Sequence, residues 1–222
     1  MTSTPPRSPS AALLSAARAA NGFMPEDEGD FLLKCAREQA KLGPLLEVGT
    51  YCGKSALYLA AAASEADQIV FTVDHHRGSE ENQAGWEHHD PTLVDPITGR
   101  MDTLPTFRKT IEHAGAEHLV VAVIGASTTV SRHWRTPLSL LFIDGGHAEE
   151  HAQNDYSGWA RWVLPGGLLM IHDVFERPED GGQPPYHVWL RAVASGCFEP
   201  DGQVGSMRRL RRVRGEAGDS VS

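Results

Sequence analysis

Apolar and polar positions along the chain alternate between two textures. Short, nearly continuous apolar runs (PLLEVG, QIVFTVD, HLVVAVIG, LSLLFIDGG and GLLMIHDV) read as buried strands. Between them lie EDEGDFLLKCAREQAKLG, SALYLAAAAS, DTLPTFRKTIEHAG, TTVSRHWRT, AEEHAQNDYSGWARWV and PPYHVWLRAVAS, which read as helices, the fifth closed by LPGG. QVGSMRRLRRV alternates and reads as one last strand. Strands apolar on both sides and interleaved with helices imply an α/β fold, a parallel sheet with helices on both faces.

The alternation shows no linker and no internal repeat, so it predicts a single domain over residues 11–214. Residues 1–10 are rich in Pro, Ser and Thr, and 215–222 read GEAGDSVS; both are expected to be disordered tails. The net charge of −9 argues against nucleic acid or an anionic membrane as partner. In that setting Arg208 to Arg214 read as a solvated strand face. No apolar run reaches membrane-spanning length, and the N-terminus lacks a signal-peptide core. Three cysteines, Cys35, Cys52 and Cys197, form no close pair, which indicates neither a disulfide framework nor zinc; a reducing cytoplasm is the expected setting.

Parallel sheets bind ligands beyond the carboxyl ends of their strands. Glu47, Asp74, Asp144, His172 and Asp173 each fall at or just past such an end, so acids and histidines converge on one rim. The first turn, in LLEVGTYCGKSALYLA, contains GKS but is one residue short of a P-loop, and its glycines miss the dinucleotide fingerprint G-x-G-x-x-G. What remains is Glu47-x-Gly49-x-x-x-Gly53. It resembles motif I of the class I S-adenosylmethionine-dependent methyltransferases. That resemblance implies a Rossmann-like, mostly parallel seven-stranded sheet whose last strand is antiparallel. It also implies S-adenosyl-L-methionine as cofactor, held by Glu47, Gly49, Thr50, Gly53 and Ser55 at the turn. Asp74 is expected to accept from the ribose hydroxyls, and Ser127, in GAS, to lie by the adenine.

IDGGH (Ile143 to His147) and IHD (Ile171 to Asp173) end neighbouring strands in such a sheet. Two carboxylates and an imidazole suit Mg²⁺ or Mn²⁺ better than zinc. The layout resembles metal-dependent O-methyltransferases. The resemblance implies Asp144, His172 and Asp173 as metal ligands, with Asp144 and His147 catalytic and His147 standing where the catechol type has a lysine. His172 replaces an acid, so a ligand, an outer group and a base all stay open for it. The connection after QIVFTVD is long and carries His76 and Trp86; with Tyr186, from FERPEDGGQPPYHVW, these are candidate contacts to the acceptor, a mobile lid or dimer contact being the plainer alternative.

As a whole, LFIDGGHAEEHAQNDYSGWARWVLPGGLLMIHDV with DHHRGSEENQ resembles small actinobacterial sugar O-methyltransferases. This implies a 3-O-methylated mannoside acceptor methylated at its reducing-end 1-OH, Mg²⁺ dependence and a homodimer. The expected function is a metal-dependent O-methyltransferase acting on a saccharide hydroxyl. The alternatives are a phenolic or antibiotic acceptor, or a cofactor-binding subunit without catalysis.

Overall fold

The computed structural model describes residues 9–79, 82–83, 89–146 and 148–221. The chain forms α1 (Pro9–Ala19), α2 (Glu26–Gln39), β1 (Leu45–Val48), α3 (Lys54–Ser64), β2 (Val70–Asp74), α4 (Leu104–His113), β3 (Val120–Ile124), α5 (Ser127–His133), β4 (Leu138–Ile143), α6 (Glu149–Trp159), β5 (Val163–Ile171), α7 (Pro184–Ala194), β6 (Phe198–Val204) and β7 (Met207–Arg212). The seven strands form one sheet in the order β3-β2-β1-β4-β5-β7-β6, parallel except for β7, which runs antiparallel to both of its neighbours. This is the Rossmann-like, mostly parallel seven-stranded sheet expected from the sequence.

Successive side chains alternate sides, and the central strands are buried on both faces, whereas the edge strands β3, expected from its apolar run to be buried, and β6 are largely exposed. Leu45, Leu140, Phe142 and Met207 pack with α1 to α4. Leu46, Val48, Leu141 and Leu210 pack on the opposite face, with residues of α6 and α7. Helix α3 lies under α1 and α2, and its run Ala60 to Ala63 is buried, small side chains allowing helix and sheet to approach closely. The strand order reverses between β1 and β4, so the loops leaving these two strands diverge and open a crevice at the carboxyl edge.

Four expectations need correction. LPGG does not end a helix: α6 stops at Trp159, a short 3-10 turn follows, and LPGG lies inside β5, where the pairing with β4 shifts register. QVGSMRRLRRV is not one strand but the end of β6, a turn through Gly205 (φ +52°) and Ser206, and β7. Its arginines are not a solvated face. Arg208, Arg209 and Arg212 are buried, and the Arg212 guanidinium donates to the carbonyls of Arg161 (2.8 Å), Val163 (2.7 Å) and Glu216 (2.7 Å). Residues 9–10 and 215–221, read as parts of two tails, carry structure. Helix α1 begins at Pro9, with Ser10 donating to Glu65 at 2.5 Å, and Val221 is buried, its carbonyl accepting from the Tyr156 hydroxyl at 2.8 Å. Composition predicts solvation of these residues, but helix packing and a few hydrogen bonds hold them.

Among the described residues no helix is long and apolar enough to cross a membrane. Cys35, Cys52 and Cys197 are all buried and unpaired.

Candidate active site

Hydrogen bonds continue across the strand ends and lock the rim. Gly49 N–H donates to Val73 O (3.0 Å), Asp144 N–H to Val48 O (2.9 Å) and His172 N–H to Ile143 O (3.1 Å). Gly49 adopts φ +87°, and a methyl group on it would lie 2.6 Å from the Asp144 carbonyl carbon and 2.9 Å from Gly145 Cα. Glycine is required here because the β1 turn packs on the β4 loop. Gly53 (φ +92°) starts α3 against the Phe107 ring and is absent from the cleft wall.

Asp74 clasps the turn. Its Oδ2 accepts from the amides of Thr50 (2.9 Å) and Tyr51 (3.0 Å), and its Oδ1 from the amide of His76 (2.7 Å). A carboxylate has roughly four acceptor positions, so one remains on Oδ1 for a ligand hydroxyl. Glu47 lies one layer beneath the wall, fully buried, with Oε1 accepting from Thr50 Oγ1 at 2.8 Å and Oε2 unpartnered among the described residues. Burial pushes its carboxyl up to about 8 against the pull of the Ser55 and Thr50 hydroxyls. A cationic ligand above it would favour the charged form. Ser127 lines the cleft; its hydroxyl donates to Asp155 (2.5 Å) and accepts from Trp159 Nε1 (2.7 Å). Burial pushes Asp155 up to about 6.

On the other side of the crevice, Asp144, His172 and Asp173 each place a ligand atom within 4.8 Å of the other two. His172 Nδ1 lies 2.8 Å from Asp144 Oδ1 and 3.3 Å from Asp173 Oδ2. Adjacent corners of an octahedron with bonds of about 2.1 Å lie about 3.0 Å apart, so this donor set fits Mg²⁺ or Mn²⁺. Asp173 holds φ +54° although it is not glycine, a strained backbone of the kind kept at functional sites. His172 is not a free base: its Nε2 lies 2.6 Å from Glu28 Oε2, so both ring nitrogens face carboxylates. Burial alone would lower its pKa; Asp144, then Asp173 and Glu28, more than reverse this and raise it well above 6.5.

Of the remaining candidates, His76 is buried with Nδ1 on Thr103 Oγ1 (2.8 Å) and its ring by Phe107, so it supports the loop and does not face an acceptor. Tyr186 stacks on Trp189 (centroids 5.8 Å apart) against the core and is absent from the cleft wall. Both corrections have one cause: sequence places these residues near the rim but does not say which way they point. His147 and Trp86 lie outside the described residues.

Sequence reasoning missed Glu28, Asp155 and the Phe23–Tyr51 pair (centroids 5.4 Å apart), all lining the cleft or supporting it. A signal existed for Glu28. It lies four residues before Leu32 and seven before Cys35, on the buried stripe of α2, where a lone acid needs a partner.

The turn, the Asp74 clasp and the Asp144–His172–Asp173 cluster share one cleft of about 1270 Å³, larger than the roughly 300–1,000 Å³ typical of a single small ligand. Its size admits a nucleoside-sized molecule together with a second reactant.

Three solved structures share the architecture. Cofactor-bound Rv0187 from MTB is 18% identical, with a TM-score of 0.64, 94% of this chain and 91% of that one covered. The O-methyltransferase NovP is 16% identical (TM-score 0.64, covering 85% and 80%). The Bacillus cereus O-methyltransferase in complex with SAH is also 16% identical (TM-score 0.62, covering 95% and 93%). At this identity the likeness establishes the fold. A family profile described as a methyltransferase domain matches residues 46–174, more than half the chain and the span from β1 to just past β5 that carries the turn, Asp74 and the acid cluster; the chain belongs to that methyltransferase family.

Proposed function

We propose that the chain is an S-adenosyl-L-methionine-dependent O-methyltransferase that uses Mg²⁺ or Mn²⁺ and methylates a saccharide hydroxyl. The observation that carries this reading is the placement of Asp144, His172 and Asp173 on the wall of the same cleft as the Gly49 turn. The resemblance to the mycobacterial methylmannose polysaccharide 1-O-methyltransferase narrows the acceptor to the 1-OH of a 3-O-methylated mannoside, and suggests a homodimer.

In this reading Asp74 keeps the turn rigid, so the donor's methyl group meets a fixed acceptor and little orientational entropy is lost in the reacting step. Glu47 supplies buried negative charge under the cationic donor. Asp144, His172 and Asp173 would hold the ion, which would lower the pKa of an acceptor hydroxyl. His147 takes the hydroxyl proton. S-adenosylmethionine would supply the methyl group to the acceptor oxygen, its sulfur keeping the electron pair of the bond that breaks.

The test is release of S-adenosylhomocysteine in a panel of mannosides and phenols, with the protein stripped of divalent ions and then reloaded. Turnover on a mannoside that disappears on stripping and returns with Mg²⁺ or Mn²⁺ supports the proposal. Full turnover in chelator removes the metal, and turnover on phenols alone moves the acceptor class. That second class, a phenol or antibiotic, is favoured by one feature: Phe23, 60% exposed beside Tyr51 on the cleft wall, offers a flat ring a stacking surface.

A further inference from the structure

Glu28 has no role in the reading above, yet its carboxylate is held on both oxygens. It is 2% exposed on the buried face of α2. Its Oε1 accepts from the Ser206 amide (2.5 Å) and the Ser206 hydroxyl (2.9 Å), both in the β6–β7 turn. Its Oε2 lies 2.6 Å from His172 Nε2, its one polar side-chain partner among the described residues. Gly205 makes the approach possible. Beyond its φ of +52°, a methyl there would lie 3.0 Å from Glu28 Cδ and closer still to Oε1.

A histidine that binds a metal through one nitrogen needs its other N–H held by an acceptor, which sets the tautomer and turns the ring. His172 Nδ1 faces Asp144 and Asp173, and Nε2 faces Glu28 alone among the described carboxylates. We propose that Glu28 is the positioning residue of the ion site: it accepts the Nε2 proton of His172 and thereby presents Nδ1, unprotonated, to a divalent cation between Asp144 and Asp173. Resting on the metal reading, this adds a determinant from outside the strand ends, where such ligands are expected. It also explains how a histidine serves at a position where an acid was expected. The imidazole is neutral as a ligand, and the buried Glu28 charge beside it restores the negative charge that the missing acid would have supplied.

The test is calorimetric titration of Mn²⁺ into the full chain with S-adenosylhomocysteine present, for wild type, E28Q and D144N, with folding checked by circular dichroism. The Glu28→Gln substitution keeps the side chain's shape while weakening acceptance of the His172 proton, so a merely structural role would change little. The expected result is one ion bound by wild type, a 10- to 100-fold weaker affinity in E28Q, and a larger loss in D144N. Nitrogen NMR of the Mg²⁺-loaded wild type supplies a readout that needs no variant, with the His172 proton expected on Nε2. Wild-type binding of Mn²⁺ with E28Q within twofold, or the proton found on Nδ1, overturns the role of Glu28 and leaves the metal reading standing. A loss in E28Q as deep as in D144N overturns it by making Glu28 a ligand itself. No Mn²⁺ binding by wild type overturns both.

Discussion

Substituting Gly49 by alanine tests whether one peptide contact couples the two halves of the cleft. Two costs are separable. The first is the left-handed backbone, φ +87°, which penalises a side chain by about 1–2 kcal/mol. Gly115→Ala measures that cost alone, since its φ is +66° and nothing lies within 4 Å of an added methyl. The second is overlap with backbone. The Gly49 methyl would sit 2.6 Å from the Asp144 carbonyl carbon and 2.9 Å from Gly145 Cα, inside the 3.0 Å that Cβ atoms respect, and neither atom can rotate away. The β1 turn and the β4 loop must therefore separate. Separation strains the Thr50 and Tyr51 amide bonds to Asp74, each a charge-assisted bond of about 1.5–3 kcal/mol. Loss of one to both of these puts G49A about 2–6 kcal/mol below G115A, a melting difference of roughly 4–24 °C at about 2–4 °C per kcal/mol. Thermal unfolding by circular dichroism gives the first readout. Calorimetric binding of S-adenosylhomocysteine gives the second, with affinity expected to fall more than a hundredfold in G49A and little in G115A. If G49A melts within 2 °C of G115A, or binds the nucleoside within threefold of wild type, the contact does not couple the two halves.

Two further outcomes follow from buried groups. Burial raises Asp155 from 3.8 to about 6, so the folded protein binds more protons than the unfolded chain between those values and stability falls as pH rises through them. D155N should remove about 1 kcal/mol of pH dependence between pH 5 and 7, read from urea melts at both pH values; an unchanged wild-type-minus-variant difference would contradict the assignment. Deleting residues 215–222 removes buried Val221 and strips the Tyr156 hydroxyl of its acceptor. The expected destabilisation is about 2–5 kcal/mol, and an unaltered melting curve would show that this stretch adds nothing.

The fold was legible because each central strand is apolar almost throughout. LLEV and LSLLFI are buried at every position, and a sheet buried on both faces produces that texture. The acids at strand ends were equally legible, because strand direction alone brings Asp144 and Asp173 to one edge. Side-chain direction was not. His76 turns inward with a backbone φ of +57°, and nothing in DHHRG reports that. Glu28 depends on α2 crossing to the β6–β7 turn, a contact between residues far apart in sequence. The arginines of β7 misled because charge was read as exposure, whereas Arg212 finds carbonyls enough to stay buried.

The bond between Glu28 and Ser206 spans 178 residues. During synthesis the ribosome emits Asp144, His172 and Asp173 well before Ser206. A nascent chain can therefore pair β1, β2, β3 and β4 while the imidazole still lacks the clamp that steadies its carboxylate neighbour. Closure of this clamp is thus deferred to the end of translation, after most of the apolar interior has had time to condense.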